Sequence, residues 1–265
     1  MLRNINLGKY KRLFTFGCSF TSYKWPTWAD VLASEMPGVD YYNFGHCGGG
    51  HILIQCKITE ANVRYKFNED DLIVVMWTTM CREDHFIGGQ WLHTGNIFSQ
   101  NEYDQAFVRK FADTTGYLVR DMALITMTTN FLKSLPSTTV TLASVPYDNQ
   151  QDLAHPLVPQ ILELYKDTVE STPPNLFELE MNRQWDFGHE YYTPVHCKPG
   201  EPKFGDYHPN TQRYYNYLKK IGFNLTDKSL NYTNIAMEQL RRTNTVAEMA
   251  EVFAYLMPSQ TRTLL

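Results

Sequence analysis

Apolar and polar positions alternate with period two along Leu13–Phe16, and the stretch LFTFGCSFT then runs into Gly17 and Ser19. This pattern predicts a strand ending in a tight turn, with Ser19 at the turn itself. The period then lengthens. Trp28, Val31, Leu32 and Met36 recur at helical spacing, with Thr27 and Asp30 placed as a capping box and Pro37-Gly38 as the stop. Asp40–Phe44 (DYYNF) reads as a second strand, followed by a glycine-rich corner at Gly45, Gly48, Gly49 and Gly50. The helix expected after that corner carries Ile52, Cys56, Thr59 and Val63 on one face. Asp71–Trp77 (DLIVVMW) is apolar without alternation, as a parallel strand buried on both faces requires.

Beyond Trp77 the pattern is less regular. Thr78 to Gln105 has no clear period and reads as a long connection of the kind that carries function. Asp104 to Leu135 reads as a long helix with Leu118, Met122, Ile125, Thr129 and Leu132 along one stripe and a break at Gly116. Thr138–Val145 is a fourth strand. Ile161, Leu162, Tyr165 and Val169 mark a helix closed by Pro173-Pro174, and Leu176-Phe177 is a short fifth strand. Glu178 to Gly205 reads as loop, FGDYHPN follows, and Thr211–Ile221 reads as a helix with Tyr214 and Leu218 inward. In the tail, Val246, Met249, Ala250, Phe253, Leu256 and Met257 keep helical spacing between a second capping box, Thr245 with Glu248, and Pro258.

Strands alternating with helices predict an α/β fold of three layers, α/β/α, around a mostly parallel five-stranded sheet. We expect this domain to occupy residues 1–227, with a helical appendage over 228–265. The tail stripe is expected to cover the domain, its other use being to dock a protein partner or a second copy.

Composition narrows the function. A net charge of −4 leaves no basic footprint for nucleic acid. The longest apolar run is far too short to span a bilayer. Five cysteines without a CxxC spacing argue for reduced thiols, and Cys81, His85, His196 and Cys197 match no zinc pattern, so neither metal nor cofactor is expected. The N-terminus, MLRNINLGKYKR, lacks the apolar core of a secretion signal, which leads us to expect a chain that is cytoplasmic where it is made.

The residues able to do chemistry collect where the strands end, which is where ligands gather in open α/β sheets. They are Ser19, the Gly45–Gly50 corner, the Thr78–Glu83 region and, before the last helix of the sheet domain, Asp206 and His208. In this respect the chain resembles the SGNH hydrolases, the GDSL-like esterases. The resemblance rests on Gly17-Cys18-Ser19-Phe20-Thr21 as the first block, Asn43 with Gly48 in NFGHCGGG as the second, and Asp206 with His208 in DYHPN as the last. The phrases FGCSFT and DYHPN look in addition like SGNH-like proteins encoded by phages, which implies virion association as another location. The GxSxG elbow of the α/β-hydrolases is absent.

The resemblance implies a flavodoxin-like sheet and a serine esterase. Ser19 would be the nucleophile, His208 the base and Asp206 the orienting carboxylate. Ser19 and Gly48 would supply oxyanion donors, with Thr78 or Thr79 in the place where the family carries an Asn that this chain lacks. The family's Asp-x-x-His is shortened here to Asp-x-His. Arg82, Glu83, His85 and Trp91 are the residues expected to bind substrate, a small-molecule or glycan acyl ester such as an O-acetylated sugar. The other readings are an inactive SGNH-shaped binding or assembly protein and an acyl transferase.

Overall fold

The computed structural model describes residues 5–98, 103–149, 151, 154–181, 192–195, 204–243, 246–258 and 264. Its centre is a parallel sheet of β1 (Arg12–Gly17), β2 (Asp40–Gly45), β3 (Asp71–Trp77) and the later strand Thr138–Ala143, in the order second, first, third, last. That order is the flavodoxin-like one. The connections run through α1 (Trp28–Ser34) and α2 (His51–Tyr65), and from β3 through a hairpin, β4 (Arg82–Ile87) and β5 (Gln90–Asn96), into α3 (Gln105–Phe111) and α4 (Thr114–Lys133). The last sheet strand, Thr138–Ala143, is therefore β6.

Alternate side chains of the strands feed two separate cores, which is what makes the layers. Leu13, Leu72, Val74, Met76, Val140 and Leu142 face one side, packed with Trp28, Val31 and Leu32 of α1. Phe14, Phe16, Ile73, Val75 and Trp77 face the other, packed with Ile54, Ile58 and Ala61 of α2 and with Leu118, Met122, Ile125 and Leu132 of α4. Every residue of β3 is buried, as its unbroken apolar run predicts. Each such large side chain contributes about 1.5–3 kcal/mol through burial. At the N-terminal edge of the sheet, Arg12 clamps Asp71 with bonds of 2.6 and 2.7 Å.

After β6 come α5 (Leu157–Leu164), α6 (Lys166–Ser171) and α7 (Leu176–Met181). A second hairpin follows, β7 (Tyr192–Val195) and β8 (Phe204–Pro209), and then α8 (Thr211–Ile221), α9 (Asp227–Arg242) and α10 (Val246–Leu256). Tyr214 and Leu218 of α8 join the α1 core as expected. The tail stripe is used internally: Met249 and Phe253 are fully buried with Ala236 and Leu240 of α9 around Trp25. Thr245, half of the second capping box, lies outside the described residues, as do His196 and Cys197.

Several expectations need correction. The sheet has four strands among the described residues, because Leu176-Phe177 opens a helix and not a strand. Asn175 accepts the Glu178 N–H at 2.9 Å, a local cap that starts the helix straight after Pro173-Pro174. The long helix breaks at Ala112-Asp113, where the Asp113 carboxylate caps the Gly116 N–H at 2.6 Å, so Gly116 sits in the first turn. In α2 the buried face is Leu53, Ile54, Lys57, Ile58 and Ala61, while Cys56, Thr59 and Val63 of the expected stripe are exposed. The stretch after Thr78 holds the β4–β5 hairpin, turned at Gly88-Gly89 with φ of 62° and 86°, the left-handed pair that a two-residue hairpin loop needs. FGDYHP, read as the end of a loop, is β8.

Candidate active site

The first three sheet strands end in step. Gly17 pairs with Gly45, and Phe16 with Val75, so the turns after β1, β2 and β3 share the C-terminal edge of the sheet. Ser19 lies in the turn after β1, where the Cys18 carbonyl accepts from the Thr21 and Ser22 amides at 2.9 and 3.2 Å. The Thr21 carbonyl is held in turn by Thr27 Oγ1 at 2.7 Å and by Asn43 Nδ2 at 3.0 Å. Asn43 thereby locks the serine turn onto β2, and its own oxygen takes the Gly45 N–H at 3.0 Å. Ser19 is 7% exposed.

The glycine corner is joined to the same edge by the His46 amide, which donates to the Gly17 carbonyl at 3.0 Å. Gly48 has φ of 77°, a left-handed conformation that glycine adopts without steric cost. Behind the corner stands β4. Arg82 donates from Nη1 to the Gly49 carbonyl at 2.9 Å and from Nε to Thr79 Oγ1 at 3.0 Å. Asp84 accepts the Gly50 and Leu53 amides at 2.8 and 3.0 Å, which caps α2. Burial pushes the Asp84 carboxyl up, against those two amides and the charges of His51 and Arg82.

His208, on β8, comes to the serine turn from the far end of the chain. Its ring stacks on Tyr23 at 3.6 Å between centroids and meets the edge of Phe20, the residue after Ser19, at 5.3 Å. The placement is fixed by neighbours. Trp25 Nε1 donates to the Pro209 carbonyl and Thr211 Oγ1 to the Pro26 carbonyl, each at 2.9 Å. Asn210 caps α8 through the Arg213 amide, so the histidine stands ahead of the helix. Among the described residues the Ser19 hydroxyl makes no hydrogen bond, to His208 or to any other group. Catalytic hydrogen bonds are often long until substrate binds. Asp206 belongs to β8 in the backbone, and its side chain lies outside what the structure describes.

The other expected residues divide into near and far. Arg82 adjoins the glycine corner and ties Thr79 to it. The Thr78 hydroxyl is buried and has no partner among the described residues. Glu83 turns to α4, where it accepts from Tyr117 at 2.6 Å and Arg120 at 2.9 Å. His85 is exposed, 3.8 Å from Glu83. Trp91 stands with Phe86 at the hairpin tip, over an apolar groove of about 470 Å³ lined also by Gln55, Cys56, Lys57 and Val63 of α2. A second cavity of about 280 Å³, beyond β6, is lined by Val145, Tyr147, Asp148, Thr172 and Asn175 and touches none of these residues.

Sequence reasoning missed Lys57, Asp84 and Trp25. Lys57 sits on the buried face of α2 and donates to His46 Nδ1 at 3.2 Å, bracing the loop that carries Gly48. Burial drives its ammonium down to about 8. A lone lysine between Ile54 and Ile58 is the pattern that would have found it. Asp84 lies in the charged stretch Arg82–His85, whose sequence gives no sign that one of its carboxylates is buried.

No protein-family model matches this sequence, and no curated protein does. Similar solved structures include a GDSL-family lipolytic protein from Veillonella parvula, at 14% identity and a TM-score of 0.41, over 83% of this chain and 96% of that one. Two catalytic mutants of an acetylxylan esterase from Geobacillus stearothermophilus are similar as well. One has 14% identity and a TM-score of 0.43, the other 13% and 0.41, each over 83% of this chain and 98% of that one.

Proposed function

We propose that this chain is a serine esterase in which Ser19 is the nucleophile and His208 its base, acting on O-acyl groups of a carbohydrate. The observation that carries the reading is the seating of His208 against Phe20 and Tyr23, with the Pro209 carbonyl fastened by Trp25, beside the turn that holds Ser19. A histidine delivered from nearly two hundred positions away to the nucleophile's turn is what nucleophile–base chemistry needs.

In this mechanism Ser19 Oγ attacks the ester carbonyl carbon as its proton passes to His208. The amides of Ser19 and Gly48 bind the oxyanion. The carbon–oxygen bond to the alcohol then breaks, and His208 returns its proton to the leaving oxygen. Water, deprotonated by the same imidazole, adds to the acyl-serine carbonyl; the bond to Ser19 Oγ then breaks, the imidazolium returns its proton to Oγ, and the carboxylic acid leaves. Asp206 would fix the tautomer of the imidazole. The exposed Phe86 and the half-buried Trp91, packed edge to face at the hairpin tip, support a sugar as the alcohol portion of the substrate.

The rival reading, an inactive SGNH-shaped module, is favoured by the unbonded Ser19 hydroxyl and the missing Asn. A fluorophosphonate probe on the folded chain decides between them. Labelling that vanishes in Ser19→Ala and falls at least a hundredfold in His208→Ala supports the esterase. An unlabelled wild type supports the module.

A further inference from the structure

The ring of His208 is set among three aromatic side chains of the segment that follows β1. Tyr23 lies flat against it, with centroids 3.6 Å apart and planes 17° from parallel. Phe20 and Trp25 stand across it, at 5.3 Å and 76° and at 6.3 Å and 83°. Phe20 and Trp25 are buried, whereas Tyr23 and His208 are half-buried, so the stacked pair lies at the edge of the group. The face of an aromatic ring is electron-rich and attracts a cation placed over it. A neutral imidazole gains little from such a face, and an imidazolium much more.

The stack is built into the fold at both ends. Tyr23 meets Trp25 at 4.6 Å and 87°, and packs on the cluster that Trp25 forms with Ala236, Leu240, Met249 and Phe253. The Trp25 indole also holds the Pro209 carbonyl, next to His208, at 2.9 Å. Both partners of the stack are therefore fastened to one side chain. The charged groups around them are few. Lys24 is exposed and places its ammonium 5.6 Å from the centre of the Tyr23 ring, where it opposes a second cation. On α8, Arg213 is paired with Glu180 at 3.6 Å. On β8 itself the acidic residue is Asp206, whose side chain lies outside the described residues.

We infer that Tyr23 is a positioning residue for the base: its ring fixes the plane of His208 and stabilises the imidazolium that forms when Ser19 gives up its proton. Charge stabilisation at the base is thereby shared with an aromatic face and does not fall to Asp206 alone. The inference rests on the esterase reading, since that imidazolium arises in turnover only if Ser19 attacks.

The test follows fluorophosphonate labelling of Ser19 against pH in the full chain, where the rate should rise as His208 loses its proton and then level off. Tyr23→Leu keeps bulk without the π face. It should lower the upper level by about 2- to 30-fold and move the half-maximal pH down by about 0.4–1.5. Well below the half-maximal pH the two chains should label alike, because the stack then favours reactant and transition state equally. A residue that only props His208 in place would lower the rate at every pH and leave the half-maximal pH where it was. Tyr23→Phe keeps the face and should stay within about threefold of wild type. Phenylalanines of increasing ring fluorination in place of Tyr23 drain the face while keeping the shape, so the half-maximal pH should fall along the series. Wild type that labels, with a half-maximal pH unchanged in Tyr23→Leu and along the fluorinated series, overturns this inference and leaves the esterase standing. An unlabelled wild type overturns both.

Discussion

Lys57 gives the most direct physical test of the loop that presents Gly48. Its side chain enters the core from α2, is 7% exposed, and finds His46 Nδ1 as its hydrogen-bond partner. Burial drives the ammonium from 10.5 to about 8, with the Glu60 charge opposing. A fall of that size is equivalent to about 3 kcal/mol of differential stability. The sign follows from proton counting. Below pH 8 both folded and unfolded chains carry the proton, and the folded state bears the full cost of a buried charge. Between about 8 and 10.5 the unfolded chain holds more protons than the folded one, so stability attributable to this group rises with pH.

Lys57→Met removes the charge at every pH and loses one hydrogen bond, worth about 1 kcal/mol. The variant should therefore be more stable than wild type by about 2 kcal/mol at pH 7. That advantage should shrink through the window and reach zero or below near pH 10.5. Urea unfolding followed by the emission of the buried residues Trp25, Trp28 and Trp77 measures both chains across the range. Taking the difference at each pH cancels the titration of every other group. A difference that stays flat from pH 7 to 10.5 would refute a depressed lysine and the burial argument with it.

Other consequences are quicker to state. Trp25→Phe keeps an aromatic ring but strands the buried Pro209 carbonyl, which should cost about 1–3 kcal/mol in urea unfolding, together with slower fluorophosphonate labelling of Ser19. Gly50→Ala places a methyl 2.7 Å from Asp84 Oδ2 and 2.8 Å from Arg82 Cβ, so it should destabilise by about 1–3 kcal/mol although the backbone there, with φ of −102°, suits any residue. A melting temperature unchanged by that alanine would mean that β4 does not press on the corner.

The frame of the molecule is legible because it is written in local periods. β3 announces itself by its unbroken run, α4 by its stripe, and α1 by its capping box, in which Thr27 and Asp30 bond each other's backbone groups. The places of Ser19 and Gly48, a few residues past the ends of β1 and β2, are legible for the same reason. The failures share a cause. In α2 the apolar residues are split, with Leu53, Ile54, Ile58 and Ala61 in the core and Cys56 and Val63 at the groove beneath Trp91, so the stripe alone does not say which face is inside. The charged letters Arg82-Glu83-Asp84 look solvated until the fold sets them against α2 and α4. What made α7 a helix was the Asn175 side chain, a cap worth about 1 kcal/mol that two following apolar residues do not reveal.

The same contrast bears on how the proposed site holds together. Ser19 and Gly48 are carried by adjacent strands whose pairing is set by the sheet, so their spacing costs little beyond the fold itself. His208 has no such guarantee, since its strand β8 pairs with β7 and not with the sheet. What brings it to the serine turn is Trp25, whose indole bonds Pro209 on one side while its ring is buried by Leu240, Met249 and Phe253 of the last two helices on the other. The tail is thus coupled to the proposed base through Trp25 and through Tyr23, which packs on the same cluster and stacks on His208. Leu240→Ala, a change to a buried residue that touches neither the serine turn nor β8 by hydrogen bond, should loosen Trp25 and slow Ser19 labelling while the sheet core keeps its far-ultraviolet signal. If labelling is unchanged in a variant destabilised by the expected 2–5 kcal/mol, His208 is held by something other than the tail.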